Sequence, residues 1–154
     1  MLQEILCETL DAFIKADYKV HVLHTSLQWE AFVAFHPFFG EIYEFLKLQH
    51  DKIMEDMEQL GYNVPVSLAE IIKEKEKEEW EDNDDIIELT SQTTNVQEQL
   101  KLIENTLITL RDILQEGILQ AGMENDYVVQ NNLIDYQKQI RVYERKVRRS
   151  MGQK

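Results

Sequence analysis

Apolar residues recur at steps of three and four in four long stretches of this chain, and that period admits little other than long amphipathic helices. The first stretch covers about residues 2–27, through Leu2, Ile5, Leu6, Leu10, Phe13, Ile14, Tyr18, Val20, Leu23 and Leu27; the second covers about 30–60. Gly61, Asn63 and Pro65 follow in the order that stops a helix, a glycine just past the end and a proline soon after. With 5 glycines and 2 prolines in 154 residues, many short strands joined by tight turns are excluded.

Beyond Pro65, Ser67 and Glu70 have the capping-box spacing and open a short helix through Leu68, Ile71 and Ile72. From 73 to 85 the chain is mostly charged, with Trp80 as its one large apolar residue, and reads as a surface connection. A third helix is expected over about 86–121, closed by Gly122, and a fourth over about 125–150. No repeat or low-complexity linker divides the chain, so residues 1–154 are expected to form one domain. The links after the first and third helices are short, while roughly 20 residues follow the second, which lets the third helix run parallel to the second. An all-α four-helix bundle with one long crossover carrying a short helix is the ferritin-like arrangement.

Composition narrows the partners. The chain carries 29 acidic against 16 basic residues, a formal charge of -13, which argues against overall attraction to nucleic acid or anionic membrane. One cysteine, Cys7, cannot close an internal disulfide and fits the core of the first helix; no apolar run approaches a membrane span, and no secretory leader is evident. A reducing cytoplasm is the expected compartment.

All four histidines, His21, His24, His36 and His50, lie in the first third of the chain. Ferritins that build a di-iron site inside one bundle use paired Glu-x-x-His motifs. None occurs here, so a site of that kind is excluded. Another constellation remains: His24, His36 and the pair Asp51 and Glu55, the last two stacked four apart on one helical face. Imidazole and carboxylate together suit iron or another first-row divalent metal. His36 and Asp51, however, are roughly 22 Å apart along a straight helix at 1.5 Å per residue. Two chains whose second helices pair antiparallel would bring the histidines of one to the carboxylates of the other and create two equivalent sites. The same residues also fit a plainer reading, with partly buried histidines and a solvated face shared by Asp51, Glu55, Lys47 and Lys52.

The segment Lys19-Val-His-Val-Leu-His24, then Phe32, Phe35-His36, Asp51, Glu55, Leu60 and Gly61 resembles the Dps family, the mini-ferritins named DNA-binding proteins from starved cells. Their pattern places a lysine five before a first metal histidine, a second histidine twelve later and Asp-x-x-x-Glu starting fifteen beyond it. Every spacing is met. The resemblance extends through Pro65, Leu68-Ala-Glu-Ile-Ile72 and Gln120-Ala-Gly-Met-Glu-Asn125. It implies a dodecameric shell with iron as the metal; whether zinc or manganese competes for the site is left open by the sequence. Iron(II) would be oxidised, preferably by hydrogen peroxide, at twofold interfaces and stored as ferric mineral. His24 and His36 would come from one subunit and Asp51 and Glu55 from its neighbour, serving as metal ligands and catalytic residues together.

The pattern departs in three places. A further aspartate expected four residues after the second histidine is Gly40, which weakens the second iron position and leaves, as the alternative, a shell with impaired ferroxidase activity acting in metal sequestration or in DNA binding through its basic C-terminus. Pro37 is expected to kink the helix, and a bulge there could turn Glu41 toward the position Gly40 vacates; a solvent-facing Glu41 is the simpler expectation. The tryptophan that the family places after the first histidine is Thr25. His21 is a candidate partner of His24, and His50 an ordinary histidine. A third possibility, a metal-free interaction bundle, is separated from both shells by size.

Seven basic residues oppose one acid in 138–154, a formal +6, against nine basic and 28 acidic residues, or -19, in the rest. This basic C-terminal end is the one plausible DNA contact. The surrounding acidity, and the preference of cations for helix C-termini, weigh against it.

Overall fold

Residues 1–65 and 95–152 are described by the computed structural model. Their regular structure is helical: α1 (Leu2–Ser26), α2 (Trp29–Gln59), α3 (Val96–Met123) and α4 (Tyr127–Ser150). The expected short helix opened by Ser67 and Glu70, the charged stretch 73–85 and the expected beginning of the third helix all lie outside the described residues.

Side-chain contacts fix the direction of each helix. Asp17 meets His50 while His24 meets His36, so α1 and α2 are antiparallel. Gln130 donates to the Ile118 carbonyl and Arg111 to Glu144, so α3 and α4 are antiparallel. Glu41 accepts from Lys146 and Asp56 from Asn132, so α4 runs opposite to α2 as well. The third helix is therefore parallel to the second, the relation a long connection permits.

One stripe of each helix is buried at three- and four-residue spacing: Leu6, Leu10, Phe13 and Val20 from α1, Phe39, Ile42, Leu46 and Ile53 from α2, Leu100, Ile103, Leu107 and Leu114 from α3, and Leu133, Ile140 and Val147 from α4. Burial of each such side chain stabilises by about 1.5–3 kcal/mol, so the shared core outweighs local helix propensity.

The ends follow from local chemistry. After α2, Gly61 has φ +72, its N–H bonds the Glu58 carbonyl and the Tyr62 N–H reaches Met57, a Schellman stop. After α3 the same pair of bonds forms, but the left-handed residue is Asn125 at φ +59. Gly122 thus does not close α3, which runs on to Met123, and the fourth helix begins at Tyr127 behind Asp126, whose carboxylate accepts from the Val129 N–H at 3.1 Å. Among the described residues the third helix begins at Val96. Asn95 is extended, and its side chain accepts from the Gln97 N–H at 2.9 Å, the competition with helical backbone that makes asparagine a cap.

Pro37 lies inside α2, which continues through it unbroken. The residue four before it, Val33, is 78% exposed, so the carbonyl deprived of a partner lies on the water side of the bundle.

Candidate metal centre

The seam between α1 and α2 is built by two stripes: His24, His21 and Asp17 on one helix, and His36, Gly40, Tyr43, Lys47 and His50 on the other, each repeating at three- and four-residue steps. At one end of it the half-buried His24 and His36 rings lie 3.8 Å apart between centroids, inclined by 31°, with Phe32 against the outer face of His36 at 4.3 Å. Burial, and then the proximity of His36 and His21, hold the His24 pKa below its ordinary value. Neutral imidazole is the form that can bind metal, so this environment favours the form a ligand would need. His24 Nδ1 is buried without a hydrogen-bond partner among the described residues.

Gly40 lies directly against this ring. A Cβ at position 40 would stand 3.2 Å from His24 Nε2, so the missing side chain gives the imidazole a few tenths of an ångström of extra room. Glu41 does not fill the gap. It points toward α4, where one oxygen accepts from the Tyr143 hydroxyl at 3.1 Å and from Lys146 Nζ at 3.3 Å. The bulge weighed at Pro37 does not form, and Glu41 is exposed as the simpler expectation had it: a continuous helix keeps it about 100° from Gly40.

Asp51 and Glu55 are exposed, near the opposite end of α2 from His36. Glu55 opens onto a cleft of about 370 Å³ that Lys52, Asp56, Asn132 and Tyr136 help to line. Within the chain, no three His, Cys, Asp or Glu residues among the described ones converge on a common point. The four candidate ligands thus form two separated halves, histidines at one end of α2 and carboxylates toward the other.

Two features of the seam escaped sequence reasoning. His21 stacks on Tyr43 at 4.6 Å and 11°, which places both rings beside His24. His50, expected to be an ordinary histidine, faces Asp17, with Nε2 3.6 Å from Oδ2. Tyr43 and His50 each follow a position on the His36 stripe, Gly40 and Lys47, by three residues, and that spacing is the signal that could have found them.

A family model described as Ferritin-like domain matches residues 3–152. The chain belongs to the ferritin-like family. Among solved structures, a Dps from Listeria innocua soaked with zinc matches at TM-score 0.84 and 20% identity, covering 99% of this chain and 97% of that one. Dps from Listeria monocytogenes matches at 0.83 and 19%, over 99% and 94%. Dps from Staphylococcus aureus matches at 0.80 and 17%, over 97% and 94%. No curated protein matches. This ferritin-like chain therefore shares the fold of Dps proteins at low sequence identity.

In this ferritin-like bundle the basic end forms the last turns of α4, and part of its charge is engaged inside the subunit. Lys146 contacts Glu41, while Arg148 contacts Glu104 and Glu144, both buried. Arg145 and Arg149 are exposed. No helix among the described residues is long and apolar enough to cross a membrane.

Proposed function

We propose that this protein is a mini-ferritin that binds and oxidises iron(II) at sites between subunits, stores the ferric product in a dodecameric shell and so limits peroxide-driven damage in a reducing cytoplasm. His24 and His36 hold iron from one subunit; Asp51 and Glu55 hold it from the neighbour. The observation that carries this reading is the His24–His36 pair, two imidazoles in contact, one of them biased toward its neutral form. A histidine pair and two carboxylates suit first-row divalent ions, iron as substrate and zinc or manganese as competitors. Family membership and the likeness to Dps folds support it.

In the reaction, two iron(II) ions each give one electron to one hydrogen peroxide. Its O–O bond breaks, and with two waters the products are two ferric oxyhydroxide units and four protons. The protein's part is to hold deprotonated ligands around open coordination positions and to lead iron inward along acidic surface.

Gly40 favours a second reading, a shell that sequesters metal with weakened oxidation. Growth of ferric absorbance after adding iron(II) and peroxide to the assembled particle decides between them. The ferroxidase reading expects rapid growth that His36→Ala abolishes; sequestration expects binding without it. A species near 18 kDa by light scattering excludes both. DNA contact is not favoured, and a low-salt gel shift comparing the full chain with a variant lacking 145–154 tests it.

A further inference from the structure

The second polar contact along the α1–α2 seam has the dimensions of a ligand pair. Asp17 Oδ2 and His50 Nε2 are 3.6 Å apart, beyond the 2.7–3.2 Å of an N–H···O hydrogen bond. Two donors on one tetrahedral first-row cation, each bonded at about 2.0–2.2 Å, lie about 3.4 Å from one another. Each partner also keeps a buried atom, Asp17 Oδ1 and His50 Nδ1, with no hydrogen bond among the described residues. Both side chains are only about one-fifth exposed, at 22% and 19%. A carboxylate and an imidazole at this distance can share one cation, and any direct hydrogen bond between them is long.

The position of the pair gives it a role. His36 and His50 are fourteen residues apart, close to four helical turns, so both lie on the stripe of α2 that meets α1. When α2 pairs antiparallel with its copy in the register that sets His36 opposite Asp51 and Glu55, Gly40 falls opposite the turn that carries His50. Gly40 is where the donor set is one carboxylate short. The exposed Lys47 is the one cation on the same stripe of α2, and its long stem lets the ammonium move to water.

We propose that Asp17 and His50 ligate a second divalent first-row cation at each twofold interface, completing from across the axis the position left short by Gly40 of the partner subunit. This rests on the two-chain site under Proposed function and adds the residues of its second metal position. One chain supplies two donors, and the remaining positions are filled across the interface or by water, which leaves room for a reacting molecule.

The test is zinc(II) titration of the assembled, metal-free particle by calorimetry, with His50→Gln and Asp17→Asn. Both variants keep the shape and the capacity for a hydrogen bond across the seam, so a merely structural pair leaves the stoichiometry unchanged. The expected result is two equivalents per subunit for the wild type and one for each variant. Two equivalents retained in His50→Gln, or a wild type that binds one and a variant that keeps it, overturns the proposal and leaves the two-chain site standing. A wild type that binds none overturns both. A zinc-edge anomalous map of wild-type crystals gives a measurement independent of the variants: a peak about 2.1 Å from His50 Nε2 is expected, and no peak there overturns the assignment.

Discussion

Gly40 packs close to His24 across the α1–α2 seam: a Cβ at position 40 would come within 3.2 Å of Nε2, a tight approach that the ring would relieve by shifting a few tenths of an ångström. The residue that departs from the Dps pattern therefore lies against the first candidate imidazole. Gly40→Ala tests this contact. Alanine gains about 0.5–1 kcal/mol of helix propensity, opposed by the crowded ring, so the urea midpoint of the metal-free protein should move little. Zinc affinity should fall several-fold as the imidazole is displaced. Unchanged affinity means the ring position does not depend on the glycine.

His24 should titrate below 6.5, its ordinary value, with burial as the first cause and His36 as the second. A histidine with a depressed folded pKa takes up its proton more readily when unfolded. Its contribution to stability is thus lost as pH falls below 6.5 toward the folded value. His36→Ala should move the His24 pKa upward, toward 6.5, in an NMR titration of the metal-free protein. No movement would show that burial alone sets it.

Glu144 is buried between Arg111, at 2.9 Å, and Arg148, at 3.6 Å. Burial raises its pKa above the ordinary 4.5, and the arginines oppose the shift. Arg111→Ala leaves the carboxylate poorly compensated and should cost about 3 kcal/mol at pH 7 by denaturant unfolding. The sign of the pH dependence follows from the raised pKa: the folded state holds the proton more tightly, so stability is regained as pH falls through the folded pKa, levelling off below 4.5. The deficit of the variant should narrow over that range, and a constant deficit would assign it to lost packing.

Asp56 accepts from the Tyr136 hydroxyl at 2.7 Å and from Asn132 at 2.8 Å, tying α2 to α4 where few other contacts join them. Tyr136→Phe removes one donor from a buried carboxylate and should cost about 2 kcal/mol at neutral pH. Burial already raises the Asp56 pKa, with the two hydrogen bonds opposing it. Losing one raises it further, so the cost should shrink in acid. Thermal unfolding at pH 7 and pH 5 measures this, and equal losses at both would place the effect elsewhere.

Much of this could be read in the residues beforehand. The apolar period located four helices, and Gly61 stops α2 as its sequence position implies. The ends of α3 and α4 were less legible. Glycine and asparagine can both take positive φ, and packing, not propensity, decided that Gly122 stays helical while Asn125 turns. Pro37 was legible as a lost hydrogen bond but not as a harmless one, because that depends on the exposure of Val33.

The sequence by itself determined the helices, the acidic balance, the lack of a one-chain Glu-x-x-His site and the spacing of His24, His36, Asp51 and Glu55. These are properties of residue type and separation along one chain. The tertiary structure alone decided that His24 meets His36, that Asp17 faces His50 and that Glu41 turns to Lys146 and Tyr143. Contacts between helices depend on the rotation of each about its axis and on its axial offset. Both are set by how the buried stripes interdigitate, which the pattern on any single helix leaves open.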